Sequence, residues 1–388
     1  MTTHRPSTLN VVIAPDSFKE CLSADQVARA IARGWNKAAP SDQVIQVPLA
    51  DGGEGTTVAL TKALNGQLHA VQVTGPLGEP VTAHFGLVND GAMAIVEVAE
   101  GSGLHCVPSE ARDAMRSDSR GTGELILAAL AHRPRTLIMG LGGSATTDGA
   151  AGILRALGAR LLDKKGNPVS PGGLGLAKLS SVDLAPAIER FSGTELVVAC
   201  DVNNPLLGPN GAAAVFGPQK GATPEQVTEL DNNLANFARL VEQQGFDISS
   251  FPGSGAAGGI GGVVAGILGA KLRPGIELVM EAVALESHLK QADLVITAEG
   301  AIDAQSAYGK TPAGVAALAK QHGVPVIGLA GKLGDDLSKL HDLGLSAAFS
   351  ITPAPIRLQD AYQQAEKNLA QAAEQLARLV HAVSVPLR

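Results

Sequence analysis

Asp16 and Lys19 stand three residues apart in "APDSFKECLSA", with Ser17 between them, directly after the apolar run "LNVVIA". An acid, a hydroxyl and a base on the exit of a buried strand do nothing for core packing, whereas a binding crevice needs such groups. Further polar clusters follow other apolar runs. "LADGGEGT" puts Asp51 and Glu54 around paired glycines; Asp51 is either a helix N-cap or a working carboxylate. "VVACDVNNPLLGPNGA" places Asp201 past a strand, where it suits Mg²⁺ or a substrate hydroxyl, or an Asx turn before Pro205. "EGAIDAQSAYGK" carries Glu299, Asp303, Gly309 and Lys310. Lys310 is a candidate phosphate charge because Gly309 leaves room for a ligand; the competing reading is a solvated lysine. In "RSDSRGTGELI", Arg120 precedes a glycine turn and a helix, and either clamps a carboxylate or lies on the surface.

Two glycine-rich loops add backbone donors. "GLGGSATTDGAAG" (140–152) follows the strand "RTLIMG" and opens a helix; its Gly142, Gly143 and Ser144 read as an anion-binding turn or a structural one. Its first six residues also fit the weak dinucleotide pattern G-x-G-x-x-A, but no ribose-binding acid follows cleanly. "PGSGAAGGIGG" (252–262) offers Gly258 and Gly259 for a phosphate or for close helix packing. "AQSAYGKT" imitates a P-loop, yet Ala304 stands where glycine is required and Pro312 follows the threonine, so that reading is rejected. None of the nine histidines has a partner at metal-binding helical spacing. Acids, lysines and glycine loops point to oxygen ligands, and Mg²⁺ with a nucleotide is the cofactor set that fits.

The elements that must position these residues alternate strand and helix at both chain ends. "LNVVIA" and "QVIQVPLA" read as strands. Between them a helix runs from Ser23 to about Ala38, opened by the capping-box pair Ser23 and Gln26. "EGTTVALTKAL" is a second helix. The rhythm resumes with the strands "DLVITA", "VPVIGLA" and "LSAAFSIT", the helix "PAGVAALAKQHG", and a terminal helix carrying Leu358, Tyr362, Ala365, Leu369 and Leu376 at helical spacing. The middle differs: residues 69–100 hold three β-rich runs broken by Gly-Pro and Asn-Asp-Gly, a meander. The organisation expected is an α/β, doubly wound parallel-sheet domain from residues 1–69 and 290–388, with an inserted α/β domain at 70–289. In such a sheet the polar clusters fall beyond the carboxyl ends of the strands, where ligands bind.

Composition narrows the function classes. A chain of 388 residues favours two domains, and 45% hydrophobic with 17% charged content describes a globular protein. Aromatics at 3% and a net charge of −7 argue against nucleic acid as a partner. Cys21, Cys106 and Cys200 lack metal spacing and read as buried thiols in a reducing compartment. "MTTHRPSTLN" is no signal peptide, and the longest apolar stretch, "GGIGGVVAGILGA", is too short to span a membrane. A cytoplasmic protein with no membrane partner is expected.

Together "APDSFKECLSA", "LADGGEGT", "GLGGSATTDGAAG", "CDVNNPLLGPNGA", "GAAGGIGG" and "EGAIDAQSAYGKTPAGVA" resemble the bacterial glycerate kinase type-1 family, in the family's order and over almost the whole chain. The resemblance implies ATP- and Mg²⁺-dependent phosphorylation of D-glycerate, usually to 2-phosphoglycerate. It also implies a Rossmann/flavodoxin-like domain with an inserted domain and a cleft between them. Lys19 would then neutralise the substrate carboxylate or the transferring phosphoryl, and Asp16 would hold a glycerate hydroxyl or orient Lys19. Lys310 would supply further positive charge, Asp201 would hold Mg²⁺, and Asp51 would be a base. Ser17, Arg120, Glu299 and Asp303 fall on the substrate side. Thr147 stands where the family usually has Asn, Ala150 and Ala298 where it has Gly, and Cys21 where Ser is common. Two rival functions are an NAD(P)-dependent oxidoreductase using "GLGGSA" and a non-catalytic sugar-acid-binding protein.

Overall fold

The computed structural model describes residues 8–18, 21–50 and 55–384. Among them the strands are β1 (Asn10–Ile13), β2 (Gln43–Gln46), β3 (Gln67–Thr74), β4 (Pro80–Val88), β5 (Met93–Glu97), β6 (Thr136–Gly140), β7 (Arg160–Leu162), β8 (Ser181–Asp183), β9 (Glu195–Ala199), β10 (Lys271–Arg273), β11 (Leu294–Ile302), β12 (Val326–Leu333) and β13 (Leu345–Ser350). The chain divides into two units, Met1–Asp51 with Ile276–Arg388, and Gly52–Gly275. These boundaries differ from 69/70 and 289/290 as read from the sequence. Helix Thr56–Ala63 goes with the second unit because it packs on the meander. Thr61 Oγ1 lies 1.8 Å from where a Cβ on Gly86 of β4 would be, so only glycine lets helix and strand come this close. On the other side, Ile276 packs against Gly314 in the first unit.

The first unit is a five-stranded sheet in the order β13-β12-β11-β1-β2, and every pairing is parallel. Strands β1 and β11 are covered on both faces, which is why they read as unbroken apolar runs rather than alternating ones. Helix Ala24–Ala38 begins at the Ser23 capping box, with Gln26 as its reciprocal partner. It packs against the terminal helix Leu358–Ser384 through Val27, Ile31, Trp35, Leu369 and Leu376. Gly34 sets their spacing, since a Cβ there would sit 2.0 Å from the Ala370 carbonyl. Trp35 is fully buried, and its indole N–H needs a partner; it donates to Asp42 Oδ2 at 2.9 Å.

The second unit has a six-stranded mixed sheet, β10-β9-β6-β5-β4-β3. Strands β3, β4 and β5 form the antiparallel meander, and β5, β6, β9 and β10 run parallel. The β4–β5 turn puts Asn89 and Asp90 at φ 53 and 55, the double left-handed geometry that Asn-Asp-Gly tolerates. Its core joins the sheet to helices Arg120–Leu130, Ala151–Ala156, Pro224–Glu242 and Ala256–Gly266 through Leu125, Ile153, Phe237 and Ile260.

Three local expectations change. Gly121 and Gly123 lie inside helix Arg120–Leu130 rather than in a turn before it, where they allow close packing on Thr74 and Ile153. Pro312 does not block a helix: it sits in the first turn of Thr311–Gln321, where its missing N–H costs nothing. The three cysteines are free but half-buried. Among the described residues no helix is long and apolar enough to cross a membrane.

Candidate functional site

Counted within its own unit, the first sheet has the order 2-1-3-4-5: the chain leaves β1 for β2 on one side and returns to β11 on the other. The crevice at the carboxyl ends of β1 and β11 is therefore the topological switch point, where open α/β sheets bind ligands. Several sequence candidates meet there. Asp16 follows β1, is only 8% exposed, and accepts the Thr311 hydroxyl at 2.6 Å and the Ser17 N–H at 2.6 Å. Glu299, in β11, accepts Lys310 Nζ at 3.0 Å and the Ser306 hydroxyl at 3.1 Å. Lys310 itself is the N-cap residue of helix Thr311–Gln321, and Gly309 before it takes φ 78, a left-handed conformation natural to glycine. The result is a half-buried cation held by a buried carboxylate, beside a second buried carboxylate. Asp303 acts locally, its carboxylate capping the short turn 304–307 through the N–H groups of Gln305 and Ser306. Lys19 and Asp51 lie outside the described residues. The helix that follows has Gly55 at its N-cap, with φ 90.

In the second unit Gly142, Gly143 and Ser144 form a turn after β6, with Gly143 exposed at φ 72. The start of helix Ala151–Ala156 does not supply spare N–H groups. Asp148 Oδ2 accepts Gly152 N–H at 3.0 Å, and the Ser119 hydroxyl takes Ile153 N–H at 3.1 Å. Any anion contact must come from the turn itself. Gly258 and Gly259 take φ 73 and 94 and are packed on this loop: a Cβ on Gly258 would lie 2.0 Å from the Thr146 carbonyl, and Gly149 N–H donates to Gly258 O at 3.0 Å. Their geometry is that of loop against loop. Ala150 also takes a positive φ of 58. The Thr147 hydroxyl is buried without a partner among the described residues.

Asp201 follows β9, is exposed, and accepts Gly275 N–H at 2.8 Å. Arg120 is exposed and turned along its own helix to Glu124 Oε1 at 2.7 Å, an i,i+4 pair.

Four buried polar groups escape the sequence reading. Glu97, at the end of β5, accepts Gly55 N–H at 2.9 Å and also Thr57 N–H, so it anchors the start of helix Thr56–Ala63; burial pushes its carboxyl pKa up. Asp118 pairs with Arg155 and accepts Gly172 N–H at 2.8 Å. Asp148 is fully buried, and burial, then the nearby Asp118, raises its pKa. Lys220 is 2% exposed and donates to Ser144 Oγ at 2.9 Å and to the Thr146 carbonyl at 2.6 Å. Asp148 lies in the glycine loop and Asp118 in the stretch "RSDSRGTGELI" singled out for Arg120, so both had a local signal; Glu97 ends a meander strand and Lys220 lies in a segment with no motif.

A family model described as the glycerate kinase family matches residues 11–381. The chain is 48% identical over 370 residues to a glycerate kinase of Bacillus subtilis (strain 168), covering 95% of this chain and 97% of that one. It is 47% identical over 370 residues to a glycerate 2-kinase of Escherichia coli (strain K12), with the same coverage. A crystal structure from Salmonella typhimurium LT2, provisionally designated glycerate kinase 2, superposes with a TM-score of 0.89 at 47% identity, over 97% of this chain and 99% of that one. These matches leave the oxidoreductase and non-catalytic readings without support.

Proposed function

The chain belongs to the glycerate kinase family and is a phosphotransferase with an alcohol acceptor; from that premise we propose that it transfers the γ-phosphoryl group of ATP to the 2-hydroxyl of D-glycerate. The observation that carries the reading is the switch-point cluster. Lys310 is held by Glu299, and Asp16 by Thr311, at the edge where an α/β sheet takes its ligand. Phosphoryl transfer asks for positioning and charge neutralisation rather than covalent chemistry. Lys310 and Lys19 supply positive charge, Asp16 with Ser17 orients a substrate hydroxyl, and the Gly142–Ser144 turn takes an anionic oxygen. Asp51 accepts the proton as the hydroxyl oxygen bonds to phosphorus and the bond to ADP breaks.

Mg²⁺ fits as a metal carried with the nucleotide. Among the described residues no group of three or more His, Cys, Asp or Glu could cage a metal. Mg²⁺ bound to ATP brings phosphate oxygens and water as ligands and needs only one or two carboxylates, a role open to exposed Asp201. When bound, the metal neutralises charge between the phosphates. We place the enzyme in the cytoplasm, where ATP is made, acting on a small molecule with no nucleic-acid partner.

The test is a coupled ADP-release assay with ATP, Mg²⁺ and a panel of hydroxy acids, with phosphorus NMR of the product. D-glycerate-dependent ADP release that EDTA abolishes, with 2-phosphoglycerate as product, is expected. ADP release indifferent to glycerate would sink the reading, and 3-phosphoglycerate would correct its regiochemistry.

A further inference from the structure

Lys220 ends a short turn, Pro218–Lys220, and its side chain runs inward to the back of the Gly142–Ser144 turn. A lysine this buried loses the solvation of its charge and the freedom of a long side chain. Its two hydrogen bonds go to the same place, Ser144 Oγ and the Thr146 carbonyl. A hydroxyl has one hydrogen to donate and two lone pairs to accept. With Lys220 donating to Ser144 Oγ, the Ser144 hydrogen remains to be placed, and its in-protein acceptor, the Thr146 carbonyl that Lys220 also uses, is distant at 3.5 Å.

We propose that Lys220 is a positioning residue that acts through Ser144, holding the Gly142–Thr146 segment from behind and leaving the Ser144 hydroxyl as a polarised donor to an anionic substrate oxygen. This rests on the reading of that turn as a ligand-binding element. The oxygen belongs to the glycerate carboxylate or to an ATP phosphate; the two share the chemistry, and separate KM values distinguish them. The ammonium sets the strength of the donor. Burial pushes the Lys220 pKa down to about 7, with Asp148 opposing that fall. The other charges around it are Asp118, paired with Arg155 beyond Asp148, and Arg112, which donates to the Gln219 carbonyl at 3.1 Å. The donor is thus charged below neutrality and loses its charge above it, while the neutral amine still reaches both acceptors.

The experiment is steady-state kinetics on wild type, Lys220→Met, Ser144→Ala, their double variant, Lys220→Arg and Gly142→Val, with melting temperatures for each. Lys220→Met should raise KM for one of the two substrates about tenfold, the scale of one charge-assisted hydrogen bond. Ser144→Ala should raise the same KM, and the double variant should lose little more, because the two act in series. That KM should also climb in wild type as pH rises through neutrality and stay level in Lys220→Arg, whose charge is fixed; substrate titration is common to both and cancels. Additive effects, or a lower melting temperature with both KM values unchanged, would overturn the proposal. Should Lys220→Met fail to fold, the wild-type and Lys220→Arg pH profiles decide: parallel profiles refute it. Gly142→Val tests the underlying reading. If it raises a KM that Lys220→Met leaves alone, the turn binds ligand and Lys220 has no part in it. If it changes neither KM, the turn is not a ligand element and the proposal falls with that reading.

Discussion

Thr311 donates its hydroxyl to Asp16 at 2.6 Å across 295 positions of sequence, and both groups are buried. The bond ties the end of β1 to the first turn of the helix that leaves β11. Thr311→Val keeps the shape and deletes the donor. Stability should fall by about 1–3 kcal/mol, the penalty for a buried acceptor left short of a partner, read as a lower urea midpoint. Turnover should fall as well, because Asp16 loses its fixed orientation, and Thr311→Ser should recover both. Normal turnover in a destabilised Thr311→Val enzyme would confine the pair to folding.

Lys310 and Glu299 are 3.0 Å apart, with side chains 31% and 11% exposed. A lysine kept only for that pair would contribute little on a partly solvated edge. One that meets phosphate charge in the transition state contributes much more. Lys310→Ala should slow turnover by at least about tenfold. Near-normal kinetics would leave Lys310 as a structural partner of Glu299.

Lys19 lies outside the described residues, so its test is kinetic. Lys19→Gln should change stability by no more than about half a kcal/mol. If Lys19 meets charge that grows in the transition state, kcat and kcat/KM should drop together; if it only holds the glycerate carboxylate, KM should rise alone. Unchanged values of both would remove it from the site.

Gly258 separates a ligand cradle from a packing contact. A Cβ there meets the Thr146 carbonyl at 2.0 Å, and φ is 73. Gly258→Ala should lower the melting temperature and cost on the order of 3 kcal/mol, since backbone must move and a left-handed alanine adds strain. A cradle glycine would instead raise KM at unchanged melting temperature.

The strands around the switch point are legible because buried parallel strands write themselves as apolar runs, as in "LNVVIA" and "DLVITA". The Ser23 capping box is legible because its signal is local, two residues at fixed spacing. Asp16, Ser17, Glu299 and Lys310 stand out for the same reason: charged or polar residues directly after such runs have no core role. Glu97 and Lys220 do not, since each is defined by partners 40 or more positions away, Gly55 and Thr57 for one, Ser144 and Thr146 for the other. Gly258 stays ambiguous in the sequence because a glycine that admits a carbonyl and a glycine that admits a phosphate look alike in one dimension. Arg120 is ambiguous likewise: the surface reading fits its pairing with an ordinary helical neighbour, Glu124.

The buried ammonium of Lys220 also makes a prediction about stability alone. Its ordinary pKa of 10.5 falls to about 7 in the folded chain, because burial penalises the charged form. Below about 7 both folded and unfolded chains hold the proton, and the burial penalty is present in full. Between the two values the unfolded chain still binds the proton and the folded chain does not. Unfolding there takes up a proton, so rising pH favours the folded state, by about 1.4 kcal/mol per pH unit at most. Above 10.5 neither form is protonated and the gain levels off. Other alkaline titrations, such as that of Cys200, whose thiol burial pushes up, contribute to any variant alike. The quantity to follow is therefore the urea unfolding free energy of wild type minus that of Lys220→Met, measured at a series of pH values. That difference should move in favour of wild type as pH climbs above neutrality. A flat difference would mean that the two oxygen acceptors and Asp148 hold the proton on Lys220 throughout, and the rise of KM with pH expected of the Ser144 donor would then be absent as well.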